Sequence, residues 1–238
     1  MADAPGPDPS PPASGDRPGA DALTDAQKSL RAQMLATEHW SLLASRSTTQ
    51  SEVLTRIAIF LTVVSAGLIS LGILGNATQF RGWFGVAALG VLFLLLLLGL
   101  ITTIRAFNTA TEDLMYVLAM NRLRAAYLDL DPGLAPYLMM SAHDDMRGSA
   151  ITYHAFFDRG VTQVLGSSMM VITLVTAAVA GLFAGALVTT LDVPVGVAVA
   201  TGVTIGTAVL VGTMRWGYHL YLRVWREHTP LRPTPPSA

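Results

Sequence analysis

VLFLLLLL, residues Val91 to Leu98, decides the fold class of this chain. Eight consecutive apolar residues leave no helix face for water. Each Leu or Phe lowers the free energy of bilayer insertion by about 0.3–0.6 kcal/mol. The run lies inside an uncharged stretch from Gly82 to Ile104. Three more uncharged apolar stretches accompany it, Ile57 to Phe80, Gly160 to Leu191 and Val193 to Met214. A helix rises about 1.5 Å per residue, so roughly 20 apolar residues cross the hydrocarbon core. All four stretches reach that length. The expected fold is an all-α membrane protein with four transmembrane helices in two hairpins and a cytoplasmic helical bundle.

Composition agrees. Charged residues are 13% of 238, about half the share in soluble proteins. The net charge of -1 gives no concentrated basic face, so no nucleic-acid partner is expected. There is no cysteine, which removes disulfides, thiolate catalysis and Cys-ligated metals. No cofactor is expected.

Outward from the spans, the chain divides into six parts. Residues 1–23 are rich in Pro, Ala, Gly and Asp and predict a disordered cytoplasmic tail without a signal peptide. Residues 24–48 predict an amphipathic cytoplasmic helix, opened by a capping box of Thr24 with Gln27. The polar run Ser45 to Gln50 predicts a break, and Thr49 with Glu52 a second capping box that starts the first span. Residues 50–104 form the first hairpin, whose opening helix is expected to end at Gly75 and Asn76. Phe80 and Trp83 suit the membrane interface.

No breaker follows Ile104. The helix is therefore expected to continue to about Asp129, projecting roughly 35 Å from the membrane, until Asp131-Pro132-Gly133 stops it. Residues 105–159 make up this cytoplasmic segment, which continues as a turn and short helices. Residues 160–214 form the second hairpin, with Asp192 expected to cap the helix that Pro194 begins. Residues 215–238 predict an interfacial helix and a Pro-rich tail.

Of 15 basic residues, five lie at or before Arg56, five from Arg105 to Arg159 and four from Arg215 onward. Only Arg81 falls in an outer loop. That asymmetry places both termini and the middle segment in the cytoplasm of a multi-pass protein of the plasma (inner) membrane.

No span contains an ionisable residue. Proton-coupled transport and intramembrane catalysis both need such groups, so the chain is expected not to be an enzyme. What remains in the spans is small or hydroxylated. Gly181 and Gly185, and Gly202 and Gly206, form two G-x-x-x-G motifs, which let helix backbones approach closely. They predict either a tight second hairpin or a self-association face. Thr201, Thr204 and Thr207 repeat every third residue and are candidate pore-lining groups; bonding to other helices or to carbonyls four residues back is the plainer alternative. Ser65 and Ser70 pose the same choice.

Outside the spans, Arg122 and Arg124 with His143-Asp144-Asp145 are candidate contacts for a cytoplasmic protein partner. Glu112 and Asp113 read as ligands or as a solvated ion-pairing face, and Asn121 as a polar contact within a bundle. His143 to Asp145 also invites a metal reading, as do His154 and Asp158 at i,i+4 spacing. Neighbouring helix positions diverge by about 100°, however, so three consecutive residues meet one ion only in a turn.

EHWSLLASRS (Glu38 to Ser47), MNRLRAAYLDL (Met120 to Leu130) and HDD (His143 to Asp145) resemble a group of uncharacterised four-span integral membrane proteins of actinobacteria. The resemblance spans Gln33 to about Glu227 and implies no activity. The order of helix, two spans and long cytoplasmic helix is also similar to the two-span effector domains of bacterial nucleotide-signalled defence systems. That likeness implies self-association and membrane permeabilisation; the second hairpin is a departure from it. Together these readings predict a homo-oligomeric, channel-like membrane protein gated by its cytoplasmic helices, with a membrane adaptor as the alternative and a lipid-headgroup enzyme as a third.

Overall fold

The computed structural model describes residues 23–155 and 166–236. These residues are helical, without strands among them. Four helices are long and apolar enough to cross a membrane: α1 (Asp25–Thr78), α2 (Phe84–Leu130), α4 (Ser168–Thr189) and α5 (Val195–Glu227). A six-residue 3-10 helix, Pro132–Tyr137, and the short α3, Met146–Tyr153, connect α2 towards α4. The start of the third apolar stretch, residues 160–165, lies outside the described residues, as does Asp158.

The helices pack as two hairpins, α1 with α2 and α4 with α5, joined where α2 meets α4. On α1 the buried side chains are Val53, Ile57, Phe60 and Val64, spaced four, three and four apart. On the apolar half of α2 they include Ala88, Leu92, Leu95, Gly99 and Thr103, spaced four, three, four and four apart. That spacing keeps one seam facing the neighbouring helix. Gly99 marks the point where three helices converge. A Cβ there would meet Thr176 Oγ1 of α4 at 2.8 Å and Phe60 of α1 at 2.9 Å. One turn on, Thr103 and Thr176 share a buried hydroxyl–hydroxyl hydrogen bond of 3.2 Å. The opposite sides carry exposed Ile59, Ile69, Ile73, Leu94, Ile101, Leu174 and Val203. In water such faces would drive association; in lipid they are already solvated.

The break expected at Ser45 to Gln50 does not occur. α1 is one helix of 54 residues, begun by the Thr24–Gln27 capping box. The polar run contains neither Gly nor Pro, and helix satisfies it. Thr48 and Thr55 donate to carbonyls four residues back, at 3.0 and 2.9 Å. Glu52 does not cap Thr49; its carboxylate accepts from Arg56 and from Arg105 of α2. α1 ends at Thr78, with Gln79 in the left-handed region at φ 52°. α2 runs from Phe84 to Leu130 without interruption, and Asp131 closes it. In the second hairpin Pro194, not Asp192, is the N-cap of α5. Asp192 sits in the left-handed turn at φ 54°, with its N–H donating to the Thr189 carbonyl. α5 also continues through Arg215 to Glu227, so this amphipathic segment is one helix with its span.

The two G-x-x-x-G motifs face each other. A Cβ on Gly181 would lie 2.6 Å from the Gly202 carbonyl oxygen, and one on Gly202 2.8 Å from that of Gly181. A Cβ on Gly185 would come 3.2 Å from the Ala198 carbonyl, and one on Gly206 3.0 Å from that of Ala177. Backbone, not flexible side chain, fills the space, so no side chain fits without separating α4 from α5. Gly181→Leu should therefore lower the unfolding midpoint in detergent, by more than the roughly 1–3 kcal/mol of ordinary overpacking. Gly196→Leu, where a Cβ meets nothing within 4 Å, should leave it unchanged. Equal behaviour of the two variants in a thermal melt would show that the seam does not hold the hairpin.

Candidate functional site

The polar side chains gather at the end of the molecule that holds the start of α1, the end of α2 and α3. Three carboxylate centres organise it. Nearest the apolar band, Glu52 of α1 pairs with Arg56 at 3.0 Å and with Arg105 of α2 at 3.4 Å, and Arg105 also pairs with Glu112 at 2.8 Å. Exposed pairs of this kind contribute little individually. They stand where both helices leave their uncharged stretches.

The second centre is Asp113 of α2. It accepts from Arg46 Nε at 2.6 Å and Nη2 at 3.2 Å, from Gln50 Nε2 at 2.6 Å, and from the Tyr153 hydroxyl of α3 at 2.7 Å. A bidentate arginine fixes the register of α1 on α2. Burial, then the nearby Asp113 charge, pushes the Tyr153 phenol far above its usual range, so it stays a donor. Asp113 and Glu112 are thus bound within the fold.

The third centre is Asp144, whose side chain is wholly buried. Arg122 Nε donates to its carboxylate at 2.5 Å, the Leu231 N–H at 3.0 Å and the Arg232 N–H at 2.8 Å. The backbone joins in: the Asp144 N–H donates to the Arg232 carbonyl at 3.2 Å, and His228 Nε2 lies 2.6 Å from the Asp144 carbonyl oxygen. Asp145 accepts from the Thr234 N–H and hydroxyl, both at 2.7 Å, and caps α3 through the Gly148 N–H, also at 2.7 Å. Arg122 Nη2 reaches the Thr229 carbonyl at 3.2 Å, and Arg232 pairs with Asp129. Asp144, Asp145 and Arg122 therefore form a groove that grips residues 228–234 of the same chain, the strap, whereas His143 makes no hydrogen bond to it among the described residues. The start of the expected Pro-rich tail is bent at Leu231 and Arg232, which turns two successive N–H groups onto Asp144.

Asn121 supports the groove from α2. Fully buried, it donates to the His143 carbonyl at 2.8 Å and accepts from Arg124 at 2.6 Å and from Thr152 at 2.9 Å. Gly148 allows the close approach of α3, since a Cβ there would sit 2.2 Å from the His143 carbonyl oxygen. Arg124 has no carboxylate partner among the described residues. Burial, then the charge of Arg46, lowers its pKa, and Arg124 in turn helps burial lower that of His39, which stacks on Tyr127. Around His143 to Asp145 the chain is an open loop, and the two aspartates turn to different strap donors. Among the described residues, no three His, Cys, Asp or Glu side chains converge as metal ligands.

Within the spans, Ser65 and Ser70 donate to the carbonyls of Leu61 and Ala66, four residues back. Thr204 and Thr207 lie exposed and Thr201 partly so, away from the buried Gly202 face of α5. Their hydroxyls make no hydrogen bond among the described residues, whereas Thr213 on the same helix donates to Val209. One feature gave no sequence signal: a cavity of about 720 Å³ between α2, α3, α4 and α5, lined by Phe107, Leu114, Met146, Tyr153, Met170 and Tyr221. Its residues come from four elements with no shared motif. Comparison with known proteins finds no matching family model, curated protein or solved structure.

The strap should respond to acid in a defined direction. Burial pushes the Asp144 carboxyl up, but the Leu231 and Arg232 N–H groups and Arg122 outweigh it, leaving the pKa below the ordinary 3.8. For Asp145, burial is likewise outweighed by Thr234 and Gly148. Groups with depressed pKa stabilise the docked form above the ordinary value and lose that contribution as pH falls through the depressed one. A spin label at Pro236→Cys should stay immobilised from pH 7 to about 4 and gain mobility only below that. Release between pH 7 and 5 would mean that these carboxylates do not hold the strap.

Proposed function

We propose that this chain is a non-enzymatic integral membrane protein that self-associates and acts as a channel or pore-type effector, gated from its polar end. In this reading the polar end and both termini are cytoplasmic and the membrane is the plasma (inner) membrane, following the count of 14 basic residues against one. The observation that carries the reading is the continuity of α1 and α2. Each runs from the apolar band into the polar end without a hinge, over 54 and 47 residues. Asp113 cross-links their polar halves, so a shift of α1 on α2 there changes their packing in the membrane. A helix pair without a flexible joint transmits motion between its ends.

The glycine faces of α4 and α5 are consumed inside the hairpin. Self-association is therefore assigned to other faces, and the Thr201, Thr204 and Thr207 side of α5 is the leading one. Thr204 and Thr207 are open, and Thr201 partly so, in an otherwise apolar surface, where a second copy would supply either partners or the far wall of a pore. The likeness to defence-system effector domains points the same way at the level of fold. An adaptor role is the second reading, favoured by the groove at Asp144 and Asp145, which already holds a Pro-rich segment.

Liposomes carrying the purified protein should pass ions above the protein-free background. Thr204→Leu should reduce that flux severalfold, and Asp113→Ala should alter its open fraction without changing incorporation. No flux at matched incorporation would remove the pore reading. Flux unaffected by Thr204→Leu would remove the threonine face from it.

A further inference from the structure

The groove at Asp144 is incomplete without its strap. Two of the three donors on the buried carboxylate are strap N–H groups. With the strap gone, Asp144 keeps Arg122 alone, and a buried carboxylate short of donors is costly. The site therefore calls for an occupant of narrow chemistry. It must offer two successive N–H groups to Asp144, a cation to Asp129, and a hydroxyl with its own N–H to Asp145. Pro230, Pro233, Pro235 and Pro236 fix their own φ angles in such an occupant, which lowers the entropy lost on binding. A single connection at His228, extended at φ −84° and ψ 125°, joins the strap to α5.

We propose that this groove is a recognition site for a Leu-Arg-Pro-Thr segment bent at its first two residues and that it takes the strap of a second copy of the chain by exchange. An identical strap brings the same donors, so exchange requires no new chemistry. The six residues Thr229 to Thr234 reach at most about 20 Å when extended. Exchange is thus restricted to adjoining subunits whose α5 ends are neighbours. The chain's own strap competes at an effective concentration on the order of millimolar, so exchange occurs where subunits are already assembled. The inference rests on the self-association in the proposed function and is independent of conduction.

The absence of cysteine makes the test direct. Asp129→Cys and Arg232→Cys variants, carrying different tags and mixed in one membrane, are treated with a short bis-maleimide. Cross-linked dimers bearing both tags are expected, with few in either variant alone. Asp145→Asn added to the Asp129→Cys chain should cut their yield severalfold. The same two cysteines placed in one chain control for reach. If that chain cross-links only internally while the mixture yields no dimer, exchange does not occur and the proposal fails. A second measurement guards against misfolding of the cysteine variants. A labelled peptide of residues 228–236 should bind protein truncated after Glu227, and Asp145→Asn should weaken it about tenfold or more, as losing a charged hydrogen-bond partner does. No saturable binding to the folded truncated protein would overturn the recognition site itself. An oligomer seen by mass photometry without mixed cross-links would sink exchange and leave self-association standing. Mixed cross-links without flux would do the reverse to the pore.

Discussion

No charge can be left in the hydrocarbon core without a large cost, and this constraint organises the whole molecule. Four uncharged stretches satisfy it, and the ionisable groups are displaced to their ends. Because the loop between α1 and α2 is short, the displaced charge accumulates mainly at one end. There it meets the polar halves of two long helices. Glu52, Asp113 and Asp144 then form successive centres of decreasing exposure, from a wet belt beside the membrane to a wholly buried carboxylate. Glu52 ties α1 to α2, Asp113 ties both to α3, and Asp144 ties α2 to the strap.

Inside the membrane another kind of bond takes over. Apolar burial gives no advantage there, since lipid is as apolar as leucine. Close backbone approach and shared hydroxyls hold the helices instead. The glycine seam between α4 and α5 and the Thr103–Thr176 bond between α2 and α4 are the two clear instances. Both lie on the second hairpin or its junction with the first. The first hairpin adds to its apolar seam the ion pairs beyond the membrane, especially Arg46 with Asp113.

The strap changes the meaning of the most conspicuous polar motif. As isolated side chains, His143, Asp144 and Asp145 suggest a metal or a partner. In the fold, Asp145 performs two tasks at once, capping α3 and holding Thr234, while Asp144 gathers donors from α2 and from residues 231 and 232. Such divided use leaves little capacity for an ion. It suits the recognition of a bent backbone, whose two successive N–H groups converge on the single Asp144 carboxylate.

The sequence by itself determined that the chain is all-helical with four candidate spans, because uncharged length and apolarity are local properties. It also determined the Thr24 start of α1, the stop of α2 near Asp131 and the absence of charge from every span. It misled at Ser45 to Gln50. Capping-type residues there signal a helix end only when nothing better satisfies them, and Glu52 finds Arg105 some 53 positions away. Tertiary structure alone decided between the two uses of the glycine motifs, since G-x-x-x-G specifies close approach but not the partner. It alone also made Asp113 a junction and brought residues 228–234 to Asp144. Those contacts span 40 to 89 positions in sequence. They depend on where α2, α3 and α5 end in space, which no local pattern encodes.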